Sequence, residues 1–142
     1  MKFDECIDHR EVDWLSALAK ACPTGIDCYY DGVGGRLLEG VMGHLALGAR
    51  IVLVGMMEQY KAATPLPGPN LVPLIKARAR MEGLVVYDYW SEMPTFRQRM
   101  APLVRDGDVV VREERVNGLD AAPAALTRLM AGGNFGKMVL DL

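Results

Sequence analysis

The stretch Ile26-Asp-Cys-Tyr-Tyr-Asp-Gly-Val-Gly-Gly35 decides the fold of this chain. Its first five residues are rich in strand formers, and the glycines after Asp31 turn the chain into a segment with apolar residues at helical spacing. The next apolar run, Ile51–Val54, is continuous and β-branched, which is typical of a strand buried on both faces of a parallel sheet. Strand, helix and strand in this order predict a β-α-β unit and a mostly parallel sheet with helices on both faces.

The same alternation extends outward from this unit in both directions. We predict strands and helices over the following segments of the sequence: a short strand Glu5–Asp8, helix Glu11–Ala21, strand Ile26–Tyr30, a helix from Gly35 to about Leu47 with Gly48 as its cap, strand Ile51–Val54, a helix from Asn70 to about Arg80, strand Gly83–Tyr87, a helix from Pro94 to Gly107, strand Val109–Val116, helix Asp120–Ala131 capped by Asp120, and strand Lys137–Leu142. The fold class is therefore α/β.

Composition excludes several classes of protein. The chain has 142 residues, of which 51% are hydrophobic and 24% are charged, as expected for about one globular domain. With 16 basic and 18 acidic residues it is a poor candidate for nucleic-acid binding. The apolar run Ile51–Met57 is too short to span a membrane, and the N-terminus lacks the pattern of a secretory signal. Three cysteines without a CxxC or zinc spacing indicate reduced thiols, a cytoplasmic location and no metal site.

Two strand ends are candidates for chemistry, because ligands of open parallel sheets bind at the carboxyl ends of strands. The segment Asp31–Gly35 joins a strand to a helix and could receive an anion, or it could be only a tight turn, since a full G-x-G-x-x-G is absent. The segment Val54–Tyr60 leads from Gly55 to a tyrosine that could donate a hydrogen bond, or that could be an ordinary surface residue. His9-Arg10 could meet a phosphate or lie in a solvated loop.

Several motifs together resemble the zinc-independent medium-chain dehydrogenase/reductases. They are Gly25–Gly35, Ala49–Gly55 with Gln59-Tyr60, Gly68–Leu71, Arg80–Gly83 and Gly133–Lys137. The later motifs are similar to the branch that contains NADPH-dependent 2-alkenal, prostaglandin and curcumin reductases. The resemblance covers essentially the whole chain in order. A different nucleotide-binding α/β protein would share the early pattern but would not explain the later motifs.

The resemblance implies an NADP(H)-dependent oxidoreductase that reduces the carbon–carbon double bond of α,β-unsaturated aldehydes and ketones by hydride transfer, without a metal. It implies Tyr60 as the catalytic hydrogen-bonding residue. Cofactor contacts are implied for the following residues: His9, Arg10, Gly32, Gly55, Met56, Met57, Glu58, Gln59, Tyr60, Leu84, Val85, Val86 and Asn134. His9 and Arg10 stand where the family has a tyrosine and a lysine, and Gly32 stands where it has an asparagine. NADPH and NADH both remain open as the preferred cofactor.

Full-length members of the family are more than twice as long, so this chain resembles their C-terminal portion only. The resemblance implies a partial Rossmann-like parallel sheet with flanking helices that lacks the first two strands, over residues 1–107. A short β-α-β tail, residues 108–142, would pack on the catalytic domain. We expect an open sheet edge along Ile26–Tyr30, hence a homodimer or a segment-exchanged oligomer, and an isolated chain that is inactive or incomplete. The alternative is a non-catalytic truncated paralogue that acts as a self-associating or docking module.

Overall fold

The computed structural model describes residues 3–142, which form two compact units, residues 3–90 and 91–142. The first unit contains the helices Trp14–Ala21 (α1), Gly35–Met42 (α2), Met57–Lys61 (α3) and Val72–Ala77 (α4), and the strands Ile26–Asp31 (β1), Leu45–Leu53 (β2) and Arg80–Gly83 (β3). The second contains the helices Met93–Arg105 (α5) and Ala122–Met130 (α6) and the strands Glu113–Asn117 (β4) and Lys137–Asp141 (β5). Two 3₁₀ helices span Val86–Glu92 and Leu119–Ala121. The sequence-based division at residue 107 stays a prediction.

The first unit is built on a parallel sheet with the strand order β1-β2-β3. Its register places Tyr29 beside Ile51 and Ile51 beside Met81. This arrangement confirms the α/β class and the parallel sheet that the β-α-β pattern predicts. Strand β1 pairs only with β2 among the described residues, so the open edge expected along Ile26–Tyr30 is present.

The core of the first unit lies on one face of this sheet. Leu38 and Met42 of α2 pack with Ile51, whose side chain is 0% exposed. Leu74 of α4 packs against the same cluster. Side chains alternate between the two faces of a strand, and the opposite face of the sheet carries exposed residues such as Arg50. The two helices that contribute to this cluster, α2 and α4, therefore flank the sheet on the same face, and helices on both faces stay a prediction.

The second helix is shorter than its apolar stripe predicts. It ends at Met42, and strand β2 begins at Leu45, so Leu45 and Leu47 belong to the strand. The apolar pattern of the sequence continues past the end of the helix because Leu45, now in strand β2, packs against the same buried cluster. Gly48 is not a helix cap: it has φ +76° within β2, where the pairing with β1 is irregular.

The predicted strand Gly83–Tyr87 is displaced toward the N-terminus. Strand β3 is Arg80–Gly83, and residues 86–92 form a 3₁₀ helix instead. The last backbone hydrogen bond between this segment and β2 runs from the Leu84 N–H to the Leu53 carbonyl (2.9 Å). Because β2 ends at Leu53, the residues after Leu84 have no part of that strand to pair with. Helix α4 stops before the predicted Arg80 because Arg78 adopts a left-handed conformation, φ 51°.

The predicted strand Glu5–Asp8 is wrong. These residues are irregular, and Asp8 begins a turn in which its carbonyl accepts a bond from the Glu11 N–H (3.2 Å). A strand needs a partner for its backbone groups, and no neighbouring strand is present here in the described part of the chain. Helix α1 follows, with Trp14 buried against Gly40 of α2.

The second unit contains a β-α-β arrangement, as predicted for the tail. Strands β4 and β5 are parallel and in register from Glu113 beside Lys137 onward. Burial alternates along β4, which fits a half-exposed strand. Asp120 does not cap α6, because it lies in the 3₁₀ helix that precedes it. Pro123 lies in the first turn of α6. No helix of the described residues has the length and apolar character needed to cross a membrane.

The buried core predicts a sharp contrast between two isoleucines. Replacing the fully buried Ile51 with alanine is expected to lower the free energy of unfolding by about 2–5 kcal/mol, because a cavity forms at the centre of the sheet. Ile75 is 75% exposed, so Ile75→Ala is expected to change the same quantity by less than about 0.5 kcal/mol. Urea denaturation of both variants measures this, and equal losses would contradict the placement of the core.

Candidate functional site

Three chain segments meet at the carboxyl edge of the first unit's sheet. Strands β1, β2 and β3 are parallel and end at Asp31, Leu53 and Gly83. The segments that follow them therefore leave the sheet at the same edge, which is where open parallel sheets bind ligands. The sequence-based candidates 31–35, 55–60 and 84–86 are these three segments.

The first two segments are joined by backbone contacts. The Val54 N–H donates to the Asp31 carbonyl (2.8 Å), and the Glu58 N–H donates to the Val33 carbonyl (3.1 Å). Gly32 and Gly55 also lie close together, since a Cβ added at Gly55 would lie 3.2 Å from the Gly32 carbonyl oxygen. The two strand-end loops thus form one structure, which we call the double loop (residues 31–35 and 55–60).

Side chains from the second loop occupy the space beside two glycines of the first loop. A Cβ at Gly34 would lie 2.8 Å from the Met56 sulfur, and a Cβ at Gly35 would overlap the Glu58 carboxylate. Glu58 also accepts a long hydrogen bond from the Arg36 N–H (3.4 Å) near the start of α2. These glycines serve contact between the two loops. Gly32 differs, because its nearest neighbour would be only the Val54 side chain at 3.9 Å, so a ligand can approach its backbone.

Asp31 lies at the centre of the turn. Its carboxylate accepts hydrogen bonds from the Val33 N–H (2.8 Å), the Gly34 N–H (3.0 Å) and the Tyr29 hydroxyl (3.2 Å). Burial, and then the neighbouring carboxylate of Asp31, raise the pKa of the Tyr29 phenol well above its ordinary value. Tyr29 therefore remains a hydrogen-bond donor throughout the neutral and moderately alkaline range.

An apolar cleft of about 330 Å³ opens beside the double loop. It is lined by Tyr30 at the end of β1, Val54 at the end of β2, and Leu84, Val85 and Val86 after β3. Val85 and Val86 are more than half exposed although they are apolar. A short apolar surface of this kind at a strand edge suits the face of a flat, weakly polar ring.

Of the loop residues predicted as cofactor contacts, Gln59 and Tyr60 have different surroundings. The Gln59 side chain accepts a hydrogen bond from the Leu66 N–H (3.0 Å) and donates one to the Leu66 carbonyl (3.4 Å). It thereby fastens the proline-containing loop that follows α3. Tyr60 and Met57 lie on α3 and are exposed, and Tyr60 presents its phenol to solvent with 66% of the residue accessible.

His9 and Arg10 lie in the turn before α1. The Arg36 guanidinium donates to the His9 carbonyl (2.6 Å), which connects this turn to the start of α2. Arg10 forms a two-point ion pair with Asp8 (Nε to Oδ1 2.9 Å, Nη2 to Oδ2 2.6 Å). This hydrogen-bonded guanidinium holds the pKa of the Asp8 carboxyl well below its usual range. Both partners are exposed, so a phosphate could compete for Arg10.

Asn134 belongs to the second compact unit. Its side-chain N–H donates to the Gly136 carbonyl (2.8 Å), so the amide shapes the turn before β5. Its predicted cofactor contact, like those of the other predicted residues, stays a prediction. The described residues include no group of three or more His, Cys, Asp and Glu side chains arranged to hold a metal ion.

Sequence reasoning missed three residues of this site: Tyr30, Asp31 as a hydrogen-bond acceptor, and Val54 as a lining residue. The signal for Tyr30 was available, because adjacent residues of a strand face opposite sides. Tyr29 on the core side places Tyr30 on the open side at the strand's end. The contacts of Asp31 had no comparable signal, since they depend on how the turn closes.

Comparisons with known proteins agree on one family. A family described as zinc-binding dehydrogenase matches residues 1–140. The NADPH-dependent curcumin reductase of Escherichia coli (strain K12) is 39% identical in an alignment that covers 97% of this chain and 42% of that protein. The NADP(+)-dependent 2-alkenal reductase of Nicotiana tabacum is 40% identical over 139 residues, which cover 97% of this chain and 40% of that protein.

A solved structure extends this similarity to three dimensions. CurA from Vibrio vulnificus, in complex with NADPH, matches with a TM-score of 0.87 at 39% identity, over 98% of this chain and 43% of that one. The chain therefore spans about two fifths of the length of the curated relatives described above.

The closed turn predicts that Gly34 cannot carry a side chain. Its backbone has φ 74° and ψ −155°, a region that only glycine occupies readily, and Met56 fills the space a Cβ would need. Gly34→Ala is expected to lower the free energy of unfolding by about 1–3 kcal/mol. Gly68→Ala, at a site with open space, is the control and should change it by less than about 0.5 kcal/mol. Thermal or urea denaturation of both variants checks this, and a neutral Gly34→Ala would contradict the turn.

The raised pKa of Tyr29 predicts an alkaline loss of stability. Below the ordinary tyrosine value of 10.0, both the folded and unfolded chains keep the proton, and the contribution of Tyr29 is fully present. Above it the unfolded chain releases the proton while the folded chain retains it, so the free energy of unfolding falls as pH rises. Urea denaturation across this range should show a shallower fall in Tyr29→Phe than in the parent. Tyr87→Phe, at an exposed site, should keep the parent slope.

Proposed function

Because the chain belongs to the zinc-binding dehydrogenase family, we propose that it is the C-terminal portion of an NADP(H)-dependent oxidoreductase. The proposed reaction is reduction of the carbon–carbon double bond of α,β-unsaturated aldehydes and ketones. The apolar cleft beside the double loop, at the carboxyl edge of a parallel sheet, carries this proposal. The named reductases from Escherichia coli and Nicotiana tabacum support the substrate class and the cofactor.

The residues present fit the nicotinamide half of the cofactor. Gly32 leaves backbone open to a ligand, and the neighbouring Val54 continues into the cleft. In the proposal, Leu84, Val85 and Val86 receive one face of the nicotinamide ring and keep water from it. When bound, NADPH supplies the hydride for the β-carbon of the substrate. The donor set does not fit a zinc ion, because the described residues contain no group of suitable ligands.

Two polar groups of the first unit have proposed roles toward the ligands. The exposed phenol of Tyr60 can donate a hydrogen bond to a substrate carbonyl or to a ribose hydroxyl. A donor at the carbonyl stabilises the negative charge that develops on the oxygen when hydride reaches the β-carbon. Arg10 can meet a phosphate by exchanging the Asp8 carboxylate for it, since both are anions that accept two hydrogen bonds.

We further propose a cytoplasmic location and self-association of the isolated chain. The three cysteines Cys6, Cys22 and Cys28 are unbridged, as is usual in a reducing compartment. Strand β1 leaves one edge unpaired among the described residues, and such edges favour pairing with another chain. A homodimer or a segment-exchanged oligomer would cover this edge. The same open edge supports the alternative function, a non-catalytic module that docks on itself or on another chain.

A titration with NADPH, followed by nicotinamide fluorescence, tests the proposed site. Saturable binding is expected, and Val86→Glu should weaken it at least about tenfold, because it places a carboxylate in the apolar cleft. Val72→Glu is the matched control: Val72 has a similar exposure, 48% against 53%, but lies at the start of α4 outside the cleft. It should bind NADPH as the parent does.

The outcomes separate the two functions. Binding that is lost in Val86→Glu and kept in Val72→Glu supports the reductase, and reduction of an α,β-unsaturated ketone is then assayed. Equal weakening by both variants would contradict a cofactor site in the cleft. If the parent binds no NADPH while its solution mass is that of an oligomer, the docking module is the better description of the isolated chain.

A further inference from the structure

Asp31 is a buried carboxylate to which the proposed function gives no role. Its side chain is 0% exposed, and it is the buried acidic residue of the described chain. Burial of a carboxylate is unfavourable unless hydrogen bonds replace its water. Asp27, near the amino end of the same strand, is exposed. The buried carboxylate of Asp31 must therefore be stabilised by hydrogen-bond donors from the surrounding protein.

The donors to Asp31 are concentrated on one oxygen. Oδ1 accepts from the Val33 N–H (2.8 Å), from the Gly34 N–H (3.0 Å) and from the Tyr29 hydroxyl (3.2 Å). Oδ2 accepts only a longer bond from the Gly34 N–H (3.2 Å). Two of the donors are consecutive backbone groups of the turn, so the carboxylate fixes the direction in which the turn leaves β1.

The turn in its fixed form supports the second loop. The Gly32 carbonyl accepts from the Met57 N–H (3.4 Å), and the Val33 carbonyl accepts from the Glu58 N–H (3.1 Å). Met56 packs on Gly34 in a space that exists only while Gly34 keeps its positive φ. If the backbone of residues 32–34 took another conformation, the two hydrogen bonds and the Met56 packing would be lost together, although none of these contacts involves Asp31 directly.

We propose that Asp31 is a positioning residue that assembles the double loop before any ligand arrives. Its carboxylate fixes residues 33–34, and these residues hold the start of α3 at the edge of the cleft. The consequence for cofactor binding rests on the proposed function, whereas the coupling between the two loops does not. Preorganisation of this kind lowers the entropic cost of binding, because the loops are already ordered.

Amide hydrogen exchange of the full chain tests the coupling. In Asp31→Ala, the N–H groups of Met57 and Glu58 should exchange at least about tenfold faster than in the parent, although they lie more than twenty residues away in sequence. The N–H of Val52, which lies in β2 between Tyr30 of β1 and Glu82 of β3, is the internal reference and should keep its protection. Asp27→Ala, the matched control on β1, should leave all of these rates unchanged.

Asp31→Asn separates the acceptor role from a merely space-filling one, because an amide fills the same space and would then leave exchange at Met57 and Glu58 as in the parent. The amide oxygen can take the place of Oδ1, which receives three of the four bonds. Exchange at Met57 and Glu58 should then be intermediate between the parent and Asp31→Ala. If Asp31→Ala fails to fold, Asp31→Asn decides the matter, and its rates must exceed those of the parent and of Asp27→Ala.

A parallel NADPH titration connects the coupling to the proposed function. Affinity should fall at least about tenfold in Asp31→Ala and partly recover in Asp31→Asn. Unchanged exchange at Met57 and Glu58 in the folded variants would overturn the positioning role. Faster exchange in Asp31→Ala, together with a parent chain that binds no NADPH, would instead support the coupling and count against the proposed cofactor site.

Discussion

The packing of Ile51 on β2, the central strand of the sheet, is the constraint on which the first unit depends. This side chain is fully buried, and it lies between Tyr29 and Met81 on the neighbouring strands. Helix α2 covers it with Leu38 and Met42. Because β2 is paired on both sides and cannot shift by one residue without exposing Ile51, the ends of all three strands are fixed relative to one another. The geometry of the carboxyl edge follows from this register.

The loops at that edge divide their residues between holding each other and leaving space. The side chains of Met56 and Glu58 occupy the space that a Cβ would need at Gly34 and Gly35, so these glycines permit the two loops to approach closely. Gly32 remains accessible and leads by way of Val54 to the cleft. Contact between the two loops therefore accounts for Gly34 and Gly35, whereas ligand contact at Gly32 stays a prediction.

The apolar run Leu84–Val86 shows how a local pattern can predict the wrong element at a position that nevertheless lines a cleft. Its β-branched residues predict a strand, but the neighbouring strand ends at Leu53, and the run lies beyond the sheet. Val85 and Val86 are left exposed along the cleft, which Leu84 also lines. An apolar segment without a partner at a sheet edge is a surface that another molecule can cover, which agrees with the role that the family resemblance assigns to it.

The sequence by itself determined the α/β class, the parallel sheet, the β-α-β tail and the three segments that meet at the carboxyl edge. These features follow from hydrophobic period and from the order of elements, which are local properties of the chain. The motifs also sufficed to identify the family, since several of them occur in order over the whole length.

Only the tertiary structure decided where the elements end and what each site residue contacts. Met42 ends its helix because Leu45 is needed in the sheet, and Gln59 bonds Leu66 because the proline-containing loop returns to it. The burial of Asp31 depends on two backbone N–H groups that converge only when the turn closes. Such contacts join residues through space, and no periodicity along the chain encodes them.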